Sequence, residues 1–197
     1  MAITHGLLTY EAEGMEGGPY HSRKLHVPGD TSGLTIGRGY DMKEKSSEKI
    51  SADLVAAGVE SQQAKLLGGA AGLSGKEAKD FIEKHGLSDL EISMDAQEVL
   101  FKQTYDELSR DVERICSKAD CVAAYGAVDW PGLDEKIKDV LIDLRYRGDY
   151  TPGSRKLIQA FVAANDLDGY KQALTTRENW PNVPEDRFNR RMAFLES

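Results

Sequence analysis

The chain has 197 residues, of which 40% are hydrophobic and 29% are charged, and its formal net charge is −8 at pH 7. A chain of this length can bury a hydrophobic core, and its composition excludes a disordered or fibrous protein. A nucleic-acid-binding domain normally carries a basic surface, so the acidic balance argues against that class. No stretch approaches the roughly 18 apolar residues of a membrane-spanning helix, and the N-terminal sequence predicts no secretory signal peptide.

The first forty residues predict a short helix followed by strands. The apolar pattern favours a helix from Ile3 to about Ala12, which the glycines and the proline at 14–19 end. From residue 20 to residue 41 the sequence changes character. A turn cluster at 28–33 precedes Leu34-Thr35-Ile36, which has the composition of a strand. We expect this region to form a small antiparallel sheet.

The rest of the chain predicts helices. Ser74 and Glu77 have the spacing of a capping box, and Pro131 suits the start of a helix. The order of elements predicts an α+β fold, with residues 1–197 as a single domain. In that domain a sheet lobe, of about residues 14–45, would lie beside a helical lobe formed by about 46–197 and the N-terminal helix. The predicted helices cover about 46–58, 59–67, 75–86, 95–115, 131–148, 154–164, 167–174 and 184–195.

The cysteines and histidines give no sign of a metal site. Cys116 and Cys121 have four residues between them, a spacing that allows two free thiols or a small disulfide loop. The four histidines lack the spacing of zinc ligands. We therefore expect neither a metal nor another cofactor.

Two segments contain polar residues that could carry chemistry. Glu11, Glu13 and Glu16 lie near the end of the first predicted helix, where acidic residues are ordinarily solvated surface. The second segment is the glycine-rich run 29–41, in which the hydroxyl of Thr35 could hold a water molecule and a neighbouring aspartate could act as a base. The alternative for this run is a hairpin whose polar groups only satisfy its turns.

Both segments resemble a known family. Glu13-Gly14, followed by the run Asp-Thr-Ser-Gly-Leu-Thr-Ile-Gly-Arg-Gly at 30–39, closely resembles the catalytic region of phage-type lysozymes, and the run 180–191 resembles the closing helix of that family. The longer motif 33–41, together with 141–152, is nearer to the bacterial-toxin branch, which includes the pesticin activity domain and the lysozyme-like domains of secreted effectors. The resemblance implies a lysozyme-like fold with a cleft between a sheet lobe and a helical lobe.

The resemblance also implies roles for individual residues. Glu13 would be the general acid, and Thr35 would place the attacking water with the help of an aspartate. Asp30 matches the aspartate of phage lysozymes by position, whereas Asp41 matches that of the toxin branch, and we rank Asp41 slightly above Asp30. Family members invert the anomeric centre, which requires the two carboxyl groups to be roughly 6.5–9.5 Å apart.

Residues near the C-terminus are candidates for substrate binding. Arg187 and Arg190 would share a helical face and could bind carboxylates or carbonyls of the peptide stem, although surface salt bridges are an equal alternative. Tyr146 and Arg147 could border the cleft. We expect Trp180 to pack in the core rather than to stack on a sugar.

The resemblance implies an active muramidase, which hydrolyses the β-1,4 bond between N-acetylmuramic acid and N-acetylglucosamine. The alternative is a non-catalytic peptidoglycan-binding or effector-delivery module of the same fold, which would be expected to lack the acid or the threonine. A transglycosylase needs only the glutamate, so the threonine and the aspartate argue against it. We expect a monomer that is made in the cytoplasm and acts on peptidoglycan in the periplasm or cell wall. It would reach that site by export, injection or phage-mediated release, and an immunity protein or delivery machinery could be a partner.

Overall fold

The computed structural model describes residues 3–18 and 21–197 and has an α+β fold in which helices dominate. The described residues form two compact units: one comprises Ile3 and the described part of Glu13–Thr104, and the other comprises Thr4–Ala12 and Tyr105–Ser197. The boundary therefore differs from the one near residue 45 that the sequence predicts. Residues 19 and 20, at which we placed the break and the start of the sheet region, lie outside the described residues.

The order of elements agrees with the sequence-based expectation of a helix, a small sheet and then a series of helices. Among the described residues, no helix is both long enough and apolar enough to cross a membrane. The elements are α1 (Leu7–Ala12), β1 (Thr35–Ile36), β2 (Tyr40–Asp41), α2 (Ser47–Ala56), α3 (Ser61–Gly68), α4 (Gly75–Lys84), α5 (Met94–Cys116), α6 (Ala119–Tyr125), α7 (Glu135–Arg147), α8 (Pro152–Ala163), α9 (Leu167–Thr175), a 3₁₀ turn (Arg177–Asn179) and α10 (Glu185–Glu196).

Strands β1 and β2 form a tight antiparallel hairpin in the first unit. Thr35 is paired with Asp41, and Ile36 is paired with Tyr40. The turn between the strands has a glycine at 37 and at 39, both with positive φ, a backbone conformation that glycine adopts without steric cost. On its other side β1 exchanges two backbone hydrogen bonds with His26, between Thr35 N and His26 O (2.9 Å) and between His26 N and Thr35 O (3.0 Å). The predicted small antiparallel sheet is thus confirmed.

The hairpin is packed against helices of the same unit. Ile36 is fully buried, in a cluster with residues of α2, α3 and α5. The hydroxyl of Tyr40 donates a hydrogen bond to Asp53 of α2 (2.8 Å), and Lys49 Nζ lies 2.6 Å from the same carboxylate. A buried carboxylate is tolerated when it is paired and hydrogen-bonded in this way. The hairpin is therefore fixed to α2 by both apolar and polar contacts.

Two helices begin later than the sequence predicts. Helix α7 begins at Glu135 rather than at Pro131, because the carboxylate of Asp134 accepts hydrogen bonds from the first free backbone N–H groups of the helix. Helix α1 begins at Leu7 rather than at Ile3, because Gly6 has φ +71°, which is outside the right-handed helical region. In both cases the residue just before the helix decides where it begins.

Two further details of the helices differ from the sequence prediction. Ser74 precedes α4 but makes no side-chain capping hydrogen bond, although its spacing to Glu77 suggested a capping box. Helix α6, which was not predicted, is a short element with a buried cysteine, Cys121. A segment of seven residues is too short for its apolar period to stand out in the sequence.

The second unit contains a fully buried carboxylate, that of Asp143 on α7. It accepts hydrogen bonds from Thr9 of α1 (3.0 Å), from Arg187 of α10 (2.5 and 3.1 Å) and from Arg191 of α10 (2.7 Å). The carboxylate therefore links three helices, α1, α7 and α10. Both arginines are also buried, so the charges compensate one another away from water.

Replacing Asp143 by alanine should destabilise the protein strongly, because the buried guanidinium groups of Arg187 and Arg191 would both lose this carboxylate, and Arg191 would keep the counter-charge of Asp149. We expect Asp143→Ala to lower the free energy of unfolding by about 3–5 kcal/mol, measured by denaturant titration. Asp80→Ala is the control, because it removes the carboxylate of an exposed ion pair with Lys76 and should leave stability unchanged within error. Equal effects of the two substitutions would contradict the structural role of Asp143.

Candidate functional site

Glu13 belongs to the first unit. It directly follows the last residue of α1 and is half-buried. The next residue, Gly14, packs closely against Arg38 in the turn of the hairpin: a Cβ atom on residue 14 would lie 2.7 Å from Arg38 Cγ. Arg38 Nη1 also donates a hydrogen bond to the carbonyl oxygen of Gly14 (3.2 Å). The residue after Glu13 is thus held against the tip of the β1–β2 hairpin.

The segment after Glu13 is held at two residues, Gly14 and Glu16, which we call its first and second anchors. The carboxylate of Glu16 accepts hydrogen bonds from Gln97 of α5 (2.6 Å) and from Arg23 (2.9 Å), and it lies 3.5 Å from Arg38 Nη2. Burial alone would raise the pKa of Glu16, but the hydrogen bonds from Gln97 and Arg23, together with the charges of Arg23 and Arg38, outweigh burial and lower the pKa. Glu16 is therefore held ionised in a network of donors.

Thr35 and Asp41 are brought together by the register of the hairpin. As directly paired residues, they place their side chains on the same face of the two strands. The Thr35 hydroxyl donates a hydrogen bond to the carbonyl oxygen of Gly33 (3.2 Å), and the Asp41 carboxylate accepts hydrogen bonds from the backbone N–H groups of Gly33 (3.1 Å) and Lys43 (2.8 Å). A hydroxyl and an oriented carboxylate on one face are suited to hold and deprotonate a water molecule.

Gly33 is essential to this arrangement. A Cβ atom at this position would lie 2.1 Å from Asp41 Oδ1 and 2.8 Å from the backbone nitrogen of Lys43. Any side chain on residue 33 would therefore displace the Asp41 carboxylate from its place.

Asp30, the other candidate for the catalytic aspartate, is placed differently. Its side chain is 99% exposed, and its nearest ionic partner is Lys79, at 3.8 Å. The hairpin therefore pairs Thr35 with Asp41, while Asp30 lies in the preceding loop. This geometry favours the ranking of Asp41 above Asp30.

The expectation for Arg187 is wrong. Instead of sharing an exposed face with Arg190, Arg187 points into the core of the second unit, where it is bound to Asp143. The residue that accompanies it is Arg191, one helical turn further on, while Arg190 is exposed. The reason is that the buried carboxylate of Asp143 requires positive partners, so the ion pair of Arg187 is a buried one and not a surface salt bridge.

The remaining predicted residues lie in the second unit. Arg147 is partly buried, pairs with Asp149 and donates a hydrogen bond to the carbonyl oxygen of Asn182 (3.1 Å), and Tyr146 beside it is half-buried. Trp180 is buried, and its indole N–H donates a hydrogen bond to the carbonyl oxygen of Ala173 (3.0 Å), which confirms the expectation of core packing.

The two cysteines are free thiols, and both are buried. This is one of the two alternatives that their spacing allowed. Cys116 contacts the Tyr150 hydroxyl (3.4 Å) and the Gln159 amide (3.3 Å). Within residues 3–18 and 21–197, histidine, cysteine, aspartate and glutamate side chains form no group of three that could hold a metal ion.

The sequence did not single out Arg38 or Gln97 as part of the site. The sequence contained an indication that Arg38 belongs to the site, because this residue lies between two glycines within the motif that resembles the lysozyme family. The sequence contained no such indication for Gln97, because a glutamine is ordinary at any position of a predicted helix. Both act through contacts with residues distant along the chain.

Comparison with known proteins identifies a family. Over residues 6–192 the chain matches the model of a family described as a domain of unknown function (DUF8812), and it belongs to that family. The search of curated proteins found no match. Any proposal of function therefore depends on the residues of the site.

A side chain at residue 14 should destabilise the first unit. We expect Gly14→Ala to lower the free energy of unfolding by about 1–3 kcal/mol, because the added Cβ would overlap Arg38. Gly29→Ala is the matched control: there the added Cβ meets only an ordinary contact, 3.5 Å from Ser32 Oγ, and stability should be unchanged or slightly raised. If both variants unfold alike, Gly14 is not held against Arg38.

The lowered pKa of Glu16 predicts a pH dependence. A carboxyl group whose pKa is lower in the folded than in the unfolded state stabilises the fold above the unfolded value, 4.5, and loses that contribution as the pH falls through the folded pKa. As the pH falls from neutral to below the unfolded value of 4.5, Glu16→Gln should therefore lose less stability than the wild type. Glu44→Gln, which changes a carboxylate that is 88% exposed, should follow the wild-type curve in urea titrations.

Proposed function

For this member of the DUF8812 family, we propose the function of a muramidase that hydrolyses the β-1,4 bond between N-acetylmuramic acid and N-acetylglucosamine in peptidoglycan. The observation that carries the proposal is the pairing of Thr35 with Asp41 across the β1–β2 hairpin. It supplies a hydroxyl and a carboxylate on one face at the positions that resemble the catalytic residues of the phage-type and toxin-type lysozymes. The lysozyme-like fold, with a cleft, is part of the same proposal.

In this proposal Asp41 is the general base. Two backbone N–H groups fix the orientation of its carboxylate, which still has lone pairs to accept a proton from water. Thr35 donates its own proton to the carbonyl oxygen of Gly33, so its hydroxyl oxygen can accept a hydrogen bond from the same water. The two side chains together would orient the water for attack on the anomeric carbon.

Glu13 is the general acid. It would donate its proton to the glycosidic oxygen as the carbon–oxygen bond breaks, while Asp41 takes a proton from the attacking water. The new hydroxyl forms on the face opposite the leaving sugar, so the anomeric configuration inverts. A water molecule is consumed, and the two ends of the cut chain gain its hydrogen and its hydroxyl.

One observation favours a second candidate, a non-catalytic peptidoglycan-binding or effector-delivery module. Both oxygens of Asp41 already accept hydrogen bonds from the backbone, as they would if this carboxylate only stabilised the bend between the strands and the loops. Such a module would bind peptidoglycan without cutting it. The two candidates differ in whether reducing ends are formed.

The setting follows from the substrate. We propose action on the cell wall or in the periplasm after export, injection or phage-mediated release, with peptidoglycan as the partner. As a toxin or effector domain, the protein would be accompanied by an immunity protein or a delivery machinery.

The decisive measurement is the loss of turbidity of purified peptidoglycan together with the appearance of reducing ends. We expect wild-type activity, and a loss of about 10²–10⁴-fold in Glu13→Gln because proton donation to the leaving oxygen is removed. Asp41→Asn should lose activity to a similar extent. Asp30→Asn is the matched control, because the Asp30 side chain is exposed, and it should keep nearly full activity.

Circular dichroism spectra and urea titrations must show that the variants fold, since Asp41 also supports the hairpin. A loss in Asp30→Asn with an active Asp41→Asn would reverse the assignment of the base. Wild-type protein that sediments with peptidoglycan but releases no reducing ends would replace the muramidase by the binding module.

A further inference from the structure

The geometry points to Arg38 as the positioning residue of the proposed acid, Glu13. This inference rests on the proposed function, because it concerns how the acid of that reaction is held. Arg38 contacts Gly14 and Glu16, on the segment that follows Glu13, so we assign it a positioning role rather than a catalytic one.

The need for a positioning residue arises from Gly14. Glycine has more backbone freedom than any other residue, and here it directly follows the proposed acid. A free glycine at this point would let Glu13 take many orientations. General acid catalysis requires the acid within hydrogen-bond reach of the leaving oxygen, so that freedom would reduce the rate.

Arg38 removes this freedom in two ways. Its guanidinium group donates a hydrogen bond to the carbonyl oxygen of Gly14, at 3.2 Å, and its aliphatic chain occupies the space where a side chain of residue 14 would lie. Arg38 is itself only 7% exposed, so the hydrogen bond does not compete with bulk water. The Gly14 peptide is therefore fixed in position as well as in orientation.

The same guanidinium group reaches the second anchor. Its Nη2 atom lies 3.5 Å from Glu16, whose carboxylate is also held by Gln97 and Arg23. Between the two anchors, the carbonyl oxygen of Met15 accepts a hydrogen bond from the backbone N–H of Ser22 (2.9 Å). Three successive residues after Glu13 are thus each tied down, and Arg38 contributes to the first and third of these ties.

Arg38 also belongs to the hairpin that carries the proposed base. It lies in the turn between Thr35-Ile36 and Tyr40-Asp41, and the positive φ of the glycines on either side sets the course of this turn. One rigid element therefore presents Thr35 and Asp41 and also holds the residue beside Glu13. This coupling of the acid to the base is the role that we assign to Arg38.

The test compares Arg38→Met and Arg38→Lys with Arg23→Met. Arg23 is the matched control, because it also binds Glu16, but through the other carboxylate oxygen, and its second arm binds Glu91 and the carbonyl oxygen of Ile92 rather than Gly14. Steady-state kinetics on soluble peptidoglycan fragments give kcat and KM separately. Hydrogen exchange of the Gly14 and Met15 amides reports the mobility of the segment without reference to activity.

We expect Arg38→Met to lower kcat by about 10²-fold with KM changed less than about threefold, because a misplaced acid affects the reaction more than binding. Its amides at Gly14 and Met15 should exchange faster than those of the wild type. Arg38→Lys, which keeps the charge but loses the forked donors, should recover part of kcat. Arg23→Met should lose at least about tenfold less in kcat than Arg38→Met, at a comparable loss of stability.

Two outcomes would overturn the role of Arg38 while leaving the proposed function intact. In the first, the wild type is active, and Arg38→Met and Arg23→Met lower kcat equally. In the second, Arg38→Met loses activity through a higher KM and not through a lower kcat. The failure of the proposed function is recognised separately. In that case the wild type itself releases no reducing ends and Glu13→Gln behaves like it, and the role of Arg38 in catalysis fails with it.

Discussion

Asp41 can take its place opposite Thr35 only because residue 33 has no side chain. The Asp41 carboxylate occupies the space beside Gly33, where a Cβ atom would lie 2.1 Å from one of its oxygens, and the backbone N–H of Gly33 donates a hydrogen bond to the other. The same glycine offers its carbonyl oxygen to the Thr35 hydroxyl. One backbone position thus orients both side chains of the proposed water-activating pair, and the proposed function depends on this arrangement.

Buried polar groups fix the elements of each unit. In the first unit, Asp53 joins α2 to the hairpin through Tyr40, and in the second unit, Asp143 joins α1, α7 and α10 through Thr9 and two arginines. A buried carboxylate costs free energy unless each of its oxygens is bonded, so such groups permit only the packing that brings all of their partners together.

The two proposed catalytic carboxylates differ from these structural groups in exposure. Asp143 and its arginines are sealed in the core, whereas Glu13 and Asp41 are only partly buried, although Thr35, which is paired with Asp41, is buried. Arg38 shares features of the buried structural groups and of the candidate site. It is as buried as a structural residue, and its guanidinium group contacts Gly14 and Glu16, on the segment next to Glu13.

The sequence by itself determined what depends on neighbouring residues. The apolar period of the helices, the strand Leu34-Thr35-Ile36 and the glycines of the turn are local signals, and they predicted the α+β order and the hairpin. The resemblance of the motifs at 13–14 and 30–41 pointed to Glu13, Thr35 and two possible aspartates. The predicted first residue of a helix was wrong where a single residue, such as Asp134 or Gly6, overrides the apolar period.

Only the tertiary structure decided contacts between distant residues. The register of the hairpin, which pairs Asp41 and not Asp30 with Thr35, is a contact of this kind. Arg187 is buried because it pairs with Asp143, which lies 44 residues earlier in the sequence. Arg38 and Gly14, which are in contact, are 24 residues apart in the sequence. A local pattern carries information about the few residues that share a turn or a strand, whereas the pairing of a charge with its counter-charge is settled only when the helices pack.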